Sequence, residues 1–173
     1  MKNGVDINIR NENSYLINES LKYHNDILAK VIIEKGANIN IKDNFRKTPL
    51  MYAIENNNSS DIIELLLQKG ANINDKDFNG NTPLHYACKF SNVNIVSLIM
   101  GKKPKINEQN EKGETPLIIS FMERNWICAK RLLEYNDINV TIKDKNGNTI
   151  LNYFKDLEND SYKFNEEIIS FIK

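Results

Sequence analysis

The sequence has no excess of either charge: Lys+Arg and Asp+Glu number 23 each in 173 residues, for a formal net charge of zero. With no whole-molecule field, neither nucleic acid nor an anionic membrane is an expected partner, since either would need a strong local patch. No apolar run approaches the roughly 20 residues of a transmembrane helix, and the opening MKNGVDINIRNEN lacks the apolar core of a signal peptide. A soluble, cytoplasmic protein is the expectation. Cysteine is scarce. Cys88 and Cys128 lie far apart in apolar surroundings, with no C-x-x-C and no Cys/His cluster, which excludes a disulfide framework and predicts buried, reduced thiols. The two histidines, His24 and His85, stand 61 positions apart without H-E-x-x-H, so no zinc site is indicated. G-x-G-x-x-G, G-x-x-x-x-G-K-[ST] and G-x-S-x-G are all missing, and no cofactor is expected.

What is present is a period. With 40% hydrophobic residues the chain can bury a substantial core, and its apolar positions recur. DNFRKTPLMYA begins at Asp43, DFNGNTPLHYA at Asp77, NEKGETPLIIS at Asn110 and DKNGNTILNYF at Asp144. Thr48, Thr82, Thr115 and Thr149 are therefore spaced by 34, 33 and 34. A second series keeps step: GANIN ends at Asn40 and at Asn74, KPKIN at Asn107 and NDIN at Asn139. Two different signatures sharing one period define an internal repeat. The heavy use of Asn, Ile and Lys carries no mechanism of its own.

Each unit has a physical logic. Thr before Pro places a side-chain oxygen at an N-cap and a fixed φ at the first helical position, so Thr48-Pro49, Thr82-Pro83 and Thr115-Pro116 each start a helix. Leu50, Leu84, Leu117 and Leu151 follow and are expected to face inward. A second helix comes after a short polar break, as in DIIELLLQKG (61–70), with a broad apolar face ended by Gly70, and by Gly36 one unit earlier. NG at 79–80 and 146–147 is expected to supply the positive φ angles of a tight hairpin turn. One such unit cannot cover its own apolar faces, so neighbours must stack into a continuous core.

These residues resemble the ankyrin repeat, whose pattern is D-x-x-G, T-P-L-H-x-A, two antiparallel helices and G-A-x-I/V-N. The hallmark stands almost complete at residues 77–87. The resemblance implies an all-α solenoid of stacked helix-turn-helix units joined by β-hairpin loops, forming a single domain over 1–173. Its repeats would span about 10–42 (degenerate), 43–76, 77–109, 110–143 and 144–173 (divergent), about five in all. Departures carry their own expectations. Arg46 replaces the turn glycine found at Gly80, Gly113 and Gly147, which predicts a different turn geometry there. Ile150 replaces Pro while Thr149 can still cap. Asn136 stands near the usual helix-ending Gly, in the left-handed role, and Gly101 is expected to end its helix early because Lys103-Pro104 replaces Gly-Ala. KDLENDSYKF (155–164) predicts an irregular inter-helix turn, and GVDIN (4–8) looks like the tail of a repeat whose helices are missing.

Candidate chemistry reduces to scaffold. Thr82, His85 and Asp77 could suggest a hydrolytic triad, which needs a nucleophile at an exposed elbow beside an oriented base. The other units carry Met51, Ile118 and Asn152 in the His position while Thr persists, so the threonine is a cap. The resemblance implies that His85 hydrogen-bonds within the turn region and that His24 is structural. Glu166 and Glu167 read as a solvated helix face rather than an acid/base pair. Asn57 and Asn58 lie in N-x-[ST] sequons, which carry little weight without a secretory signal. Asn40, Asn74, Asn107 and Asn139 resemble an asparagine that is hydroxylated in some ankyrin proteins, Asn74 being the best candidate; tying down the hairpin backbone is their favoured role. Trp126 is expected to pack against the inter-helix turn.

What remains is binding, and no catalytic residue is assigned. The resemblance implies a protein partner held by hairpin tips and the exposed side of the first helices, with the chain a monomer. The positions assigned to partner binding are Phe45, Lys47, Phe78, Asn79, Asn81, Lys89, Phe90, Lys112, Glu114 and Met122; Asn44, Glu111, Lys145, Asn146 and Asn148 at the tips and Glu55, Asn56 and Glu123 on the first helices should share that surface, with Lys42, Lys76 and Lys143 preceding the fingers. Phe45, Phe78, Phe90 and Met122 stand out, because large apolar side chains at nominally exposed places suggest interface anchors; the alternative is that they stiffen the array by packing on neighbouring fingers. The expected function is a non-catalytic interaction module acting as scaffold or competitive inhibitor, a role also compatible with a decoy delivered into another cell. The other reading is a structural or assembly segment whose open ends stack on further repeats or on copies of itself.

Overall fold

The computed structural model describes residues 6–12, 14–90 and 93–155. Among them run nine helices: α1 (Leu16–Lys22), α2 (Asp26–Glu34), α3 (Pro49–Glu55), α4 (Ser60–Gln68), α5 (Pro83–Phe90), α6 (Val93–Met100), α7 (Pro116–Met122), α8 (Trp126–Leu133) and α9 (Ile150–Lys155). The expected irregularity over 155–164 falls, beyond Lys155, outside the described residues, as do Glu166, Glu167 and the first two residues of GVDIN.

The helices form two layers. α1, α3, α5, α7 and α9 pack in succession as one row, α2, α4, α6 and α8 as the other, and each odd helix up to α7 packs on the even helix that follows it. The core lies between the rows and repeats with the sequence: Leu50, Ile54, Ile63 and Leu66 are closed off from solvent, as are Leu84, Ile95, Ile99, Leu117 and Leu132 in later units. At the far end Phe121 meets Trp126 edge-on at 5.6 Å and Phe154 at 6.3 Å, so Trp126 packs on the helix before its own. Leu151 departs from expectation. It is exposed, while Ile150 is buried like Pro49, Pro83 and Pro116 before it, because α9 packs on α7 and has no later first helix beyond it among the described residues.

Between the pairs project four fingers, residues 43–47, 77–81, 110–114 and 144–148. The expected hairpins carry no strand among the described residues. In the second finger the Gly80 N–H donates to Asp77 O at 3.1 Å and the Asp77 N–H to Asn81 O at 3.0 Å. Gly80 alone has positive φ, at 77°, and Asn79 does not. The turn is thus a type I turn closed by one left-handed residue rather than a turn with two positive φ angles.

Arg46 corrects a second expectation. It sits at φ 59° and its finger closes through the same bonds, Arg46 N–H to Asp43 O (3.0 Å) and Asp43 N–H to Lys47 O (3.2 Å). An L-residue can enter this region at a cost of about 1–2 kcal/mol, and the surrounding bonds hold it there. Lys103 does likewise at φ 55°: α6 ends at Met100, just before Gly101, but the left-handed residue is Lys103, at the place of Gly36 and Gly70. Asn136 does not take positive φ; that unit, one residue short, closes through the Ile138 N–H to Tyr135 O at 3.1 Å.

Candidate functional site

Each finger is organised by one carboxylate or amide at its base. Asp43 Oδ1 accepts the N–H groups of Phe45 (2.9 Å) and Lys47 (2.8 Å), while Oδ2 accepts the Tyr52 hydroxyl at 2.7 Å. Asp77 repeats this with the Asn81 N–H (2.7 Å) and the Tyr86 hydroxyl (2.8 Å), and Asp144 with Asn148 and Tyr153. Burial and the bond to Asp77 push the Tyr86 hydroxyl pKa far up. At Asp144, burial raises the carboxyl pKa, but the bonds from Tyr153, Asn148 and Asn146 outweigh it and the net shift is downward. In the third finger Asn110 replaces the Asp and Ile119 the Tyr: Asn110 Oδ1 still accepts the Lys112 and Glu114 N–H groups at 2.9 Å, while its NH2 group, with no Tyr to meet, donates to Glu114 Oε2 (2.8 Å) and Asn81 Oδ1 (3.0 Å). The base of the finger and the wall of the first helix change together.

The units are then locked to one another. His85, 1% exposed, accepts the Thr82 N–H at Nδ1 (3.1 Å), also 2.8 Å from the Thr82 hydroxyl, and Nε2 faces Glu114 O at 3.1 Å. A ring nitrogen that accepts an N–H is unprotonated, so the proton sits on Nε2 and is donated to the next finger. Burial lowers the His85 pKa to about 4. Thr48 and Thr115 cap as expected, accepting from Met51 (3.4 Å) and Ile118 (3.2 Å). At Thr149 the cap is inverted: Asn152 Oδ1 accepts the Thr149 N–H at 2.9 Å, doing the work of His85.

On the other edge the recurring asparagines staple successive units. Asn40, Asn74 and Asn107 accept the N–H groups of Asn72, Lys105 and Asn139 at 2.8–2.9 Å. Asn8 accepts from Asn38 in the same way at 2.7 Å, so it occupies the place of a unit's terminal asparagine. Lys42 pairs with Asp75 (2.7 Å) and Lys76 with Glu108 (2.6 Å), one unit on. The bond from Lys76 holds the Glu108 carboxyl below its ordinary range. Asn58 is buried with its amide on Asp26, which leaves no room for a glycan in the folded chain. Cys88 and Cys128 are buried and free, and the Asn125 amide bridges Cys88 O (3.0 Å) and the Cys128 N–H (3.2 Å).

The second and third fingers, α5, α7 and the end of α3 border a groove of about 410 Å³, whose walls are Phe90, Lys89, Met122 and Glu123 and whose finger side is Asn79 and Glu111. One backbone bond joins each finger to the next: Phe78 N–H to Phe45 O (2.8 Å), Glu111 to Asn79 (2.8 Å) and Lys145 to Lys112 (2.9 Å). No group of three or more His, Cys, Asp or Glu among the described residues could hold a metal ion, and no helix among them is long and apolar enough to cross a membrane.

A model for three copies of the ankyrin repeat matches residues 1–77 and again 17–110, together more than half of the chain. The chain belongs to the ankyrin repeat family. A search of curated proteins gave no significant match. Ankyrin repeats are generally protein–protein interaction modules, so the disposition of exposed side chains on this array is what bears on function. Phe45 and Phe78 are 65% and 71% exposed at adjacent fingertips, and Phe90 and Met122 are 42% and 44% exposed on the groove wall. Asn79, Lys89 and Lys112 are exposed as well.

The other three positions are drawn into the ankyrin scaffold itself. Lys47 is turned inward, paired with Glu55, 4.3 Å from the Tyr52 ring centroid and 5.3 Å from that of Tyr86. Glu114 is buried, taking the Asn110 amide on its carboxylate and facing His85 with its carbonyl, and Asn81 is half-buried between Asp77 and Asn110. Glu111 at the third fingertip and Glu55 and Glu123 on the first helices line the groove they were expected to face.

Proposed function

We propose that this array is a non-catalytic protein-binding module, one domain over 1–173, which holds its partner in the concave groove between fingers and first helices. The observation that supports this is the exposure of Phe90 and Met122 on the groove wall, with two further large apolar side chains, Phe45 and Phe78, exposed on the fingers. Phe45 and Phe78 extend from neighbouring fingers joined by a backbone bond, and Phe90 stacks on Tyr86 with centroids 5.9 Å apart, which holds the ring while leaving it accessible. An aromatic anchor held at a groove wall concentrates binding energy at low entropic cost. The module would act by occupancy, as scaffold or competitive inhibitor. Charged substitution of Phe45, Phe78 and Phe90 together is expected to abolish partner capture with the helical circular-dichroism spectrum retained. Capture that survives all three removes the groove reading.

A second reading, assembly, is favoured by a different observation. On α2 the side chains of Ile27, Leu28 and Val31 are exposed on the outermost unit, where no earlier helix pair covers them among the described residues. An end of this kind can stack on another repeat. Mass measured over a wide range of concentration separates the two readings.

A further inference from the structure

The whole chain is neutral, but the groove is not. Among its lining residues, Glu55 is matched by Lys47, and Glu123 by Lys89 at 3.8 Å. That leaves Asp77, Glu111 and Glu114 against Lys112. Asp77 and Glu114 are buried in the floor, and their carboxylates are satisfied by neutral donors: the Tyr86 hydroxyl and Asn81 for one, the Asn110 amide for the other. Hydrogen bonds from neutral groups leave a carboxylate's field uncancelled, and low-dielectric walls carry it into the cleft.

Two lysines, Lys89 on the groove wall and Lys47 packed behind it, show how these side chains hold a cation. Lys47 lies over the Tyr52 and Tyr86 rings, and Lys89 lies over Phe90 with its ammonium 5.1 Å from the centroid. Each combines an aromatic face with a carboxylate nearby, Glu55 or Glu123. A ring quadrupole and an anion reinforce one another in holding a cation. Phe90 and Met122, half exposed beside them, offer apolar contact to the flanking residues of whatever enters.

Building on the groove reading, we propose that the segment bound between the second and third fingers is basic: an arginine or lysine flanked by apolar side chains, its charge directed to Glu111 and the anionic floor. The test is amide NMR of the full chain titrated with a hexapeptide of alternating arginine and leucine, and with twins carrying glutamine or glutamate in place of arginine. The arginine peptide is expected to shift the amides of Phe90, Glu111 and Met122. It should bind about fivefold more tightly than the glutamine twin at low salt, with that advantage lost at high ionic strength. Glu111→Gln, an exposed change that leaves the fold intact, should remove most of the difference. A glutamine twin that binds the groove equally well overturns the charge inference while leaving the groove reading in place. Shifts that map outside the groove, or a glutamate twin that binds best, overturn it too, and the phenylalanine substitutions then decide separately whether the groove is used at all.

Discussion

His85 illustrates how a single side chain couples two units and makes that coupling depend on pH. Its unfolded pKa is near 6.5 and its folded pKa about 4, lowered chiefly by burial. Above the unfolded value both states are neutral at this site and the full contribution is present. As pH falls from 6.5 towards 4 the unfolded chain takes up a proton that the folded chain refuses, so stability declines by up to about 3 kcal/mol across that window. His85→Asn, which copies the arrangement at Asn152, should flatten this slope; urea midpoints at pH 7 and pH 4.5 for both proteins measure the difference. Tyr86→Phe tests the other partner of the second finger. It leaves Asp77 Oδ2 without its hydroxyl donor at 2.8 Å and should cost about 1–2 kcal/mol in the same assay. Recurrence marks Thr82 as scaffold, and the absence of His from the other three units removes the triad reading of His85. Asp43–Tyr52, Asp77–Tyr86 and Asp144–Tyr153 also recur, nine residues apart, and the joint switch to Asn110 and Ile119 marks the pair; only the contact shows why the two positions must change together.

At the level of the finger, the four turns share one backbone and differ in how closely the next finger approaches. A Cβ on Gly80 would lie 2.9 Å from the Glu111 nitrogen, and one on Gly113 would lie 2.8 Å from the Lys145 nitrogen, both on rigid backbone. Gly147 has equal need of positive φ but nothing within 4 Å. Gly147→Ala should therefore cost only the left-handed strain, about 1 kcal/mol, and Gly113→Ala roughly 2–3 kcal/mol because the next finger must also move. Equal losses by chemical denaturation would show that inter-finger contact adds nothing. The finger pattern was legible because turn chemistry is local. Left-handed Arg46 and Lys103 were not, since a D-x-x-R or a K-P gives no local hint of a conformation imposed by the bonds around it. The inward turn of Lys47 was hidden because it answers to a partner outside its own turn, Glu55 at the end of α3, and that of Glu114 because its carboxylate takes the amide of Asn110, a donor that exists only where Asn replaces the finger's Asp. Exposure at Phe45, Phe78, Phe90 and Met122 was readable because each breaks the apolar period of its own unit.

On the scale of the whole array, stability is a sum of units and the interfaces between them, so equivalent positions should differ in energy according to which neighbours they have. Leu28 on α2 and Ile62 on α4 are such a pair. Leu28 is 36% exposed and Ile62 3%, although both occupy the same place in their helices. What differs is that α4 has α2 before it, whereas α2 has no earlier second helix among the described residues. Ile62→Lys forces a charge into a packed interface and should cost about 3 kcal/mol or more, while Leu28→Lys, at an open end, should fall within about 0.5 kcal/mol of the parent. Both follow from urea unfolding of dilute protein. Sedimentation at high concentration then gives the same substitution a second meaning: if the open end of α2 mediates assembly, Leu28→Lys abolishes the associated species. A parent chain that sediments as a monomer at every concentration removes the assembly reading and leaves the groove as the surface through which the array acts.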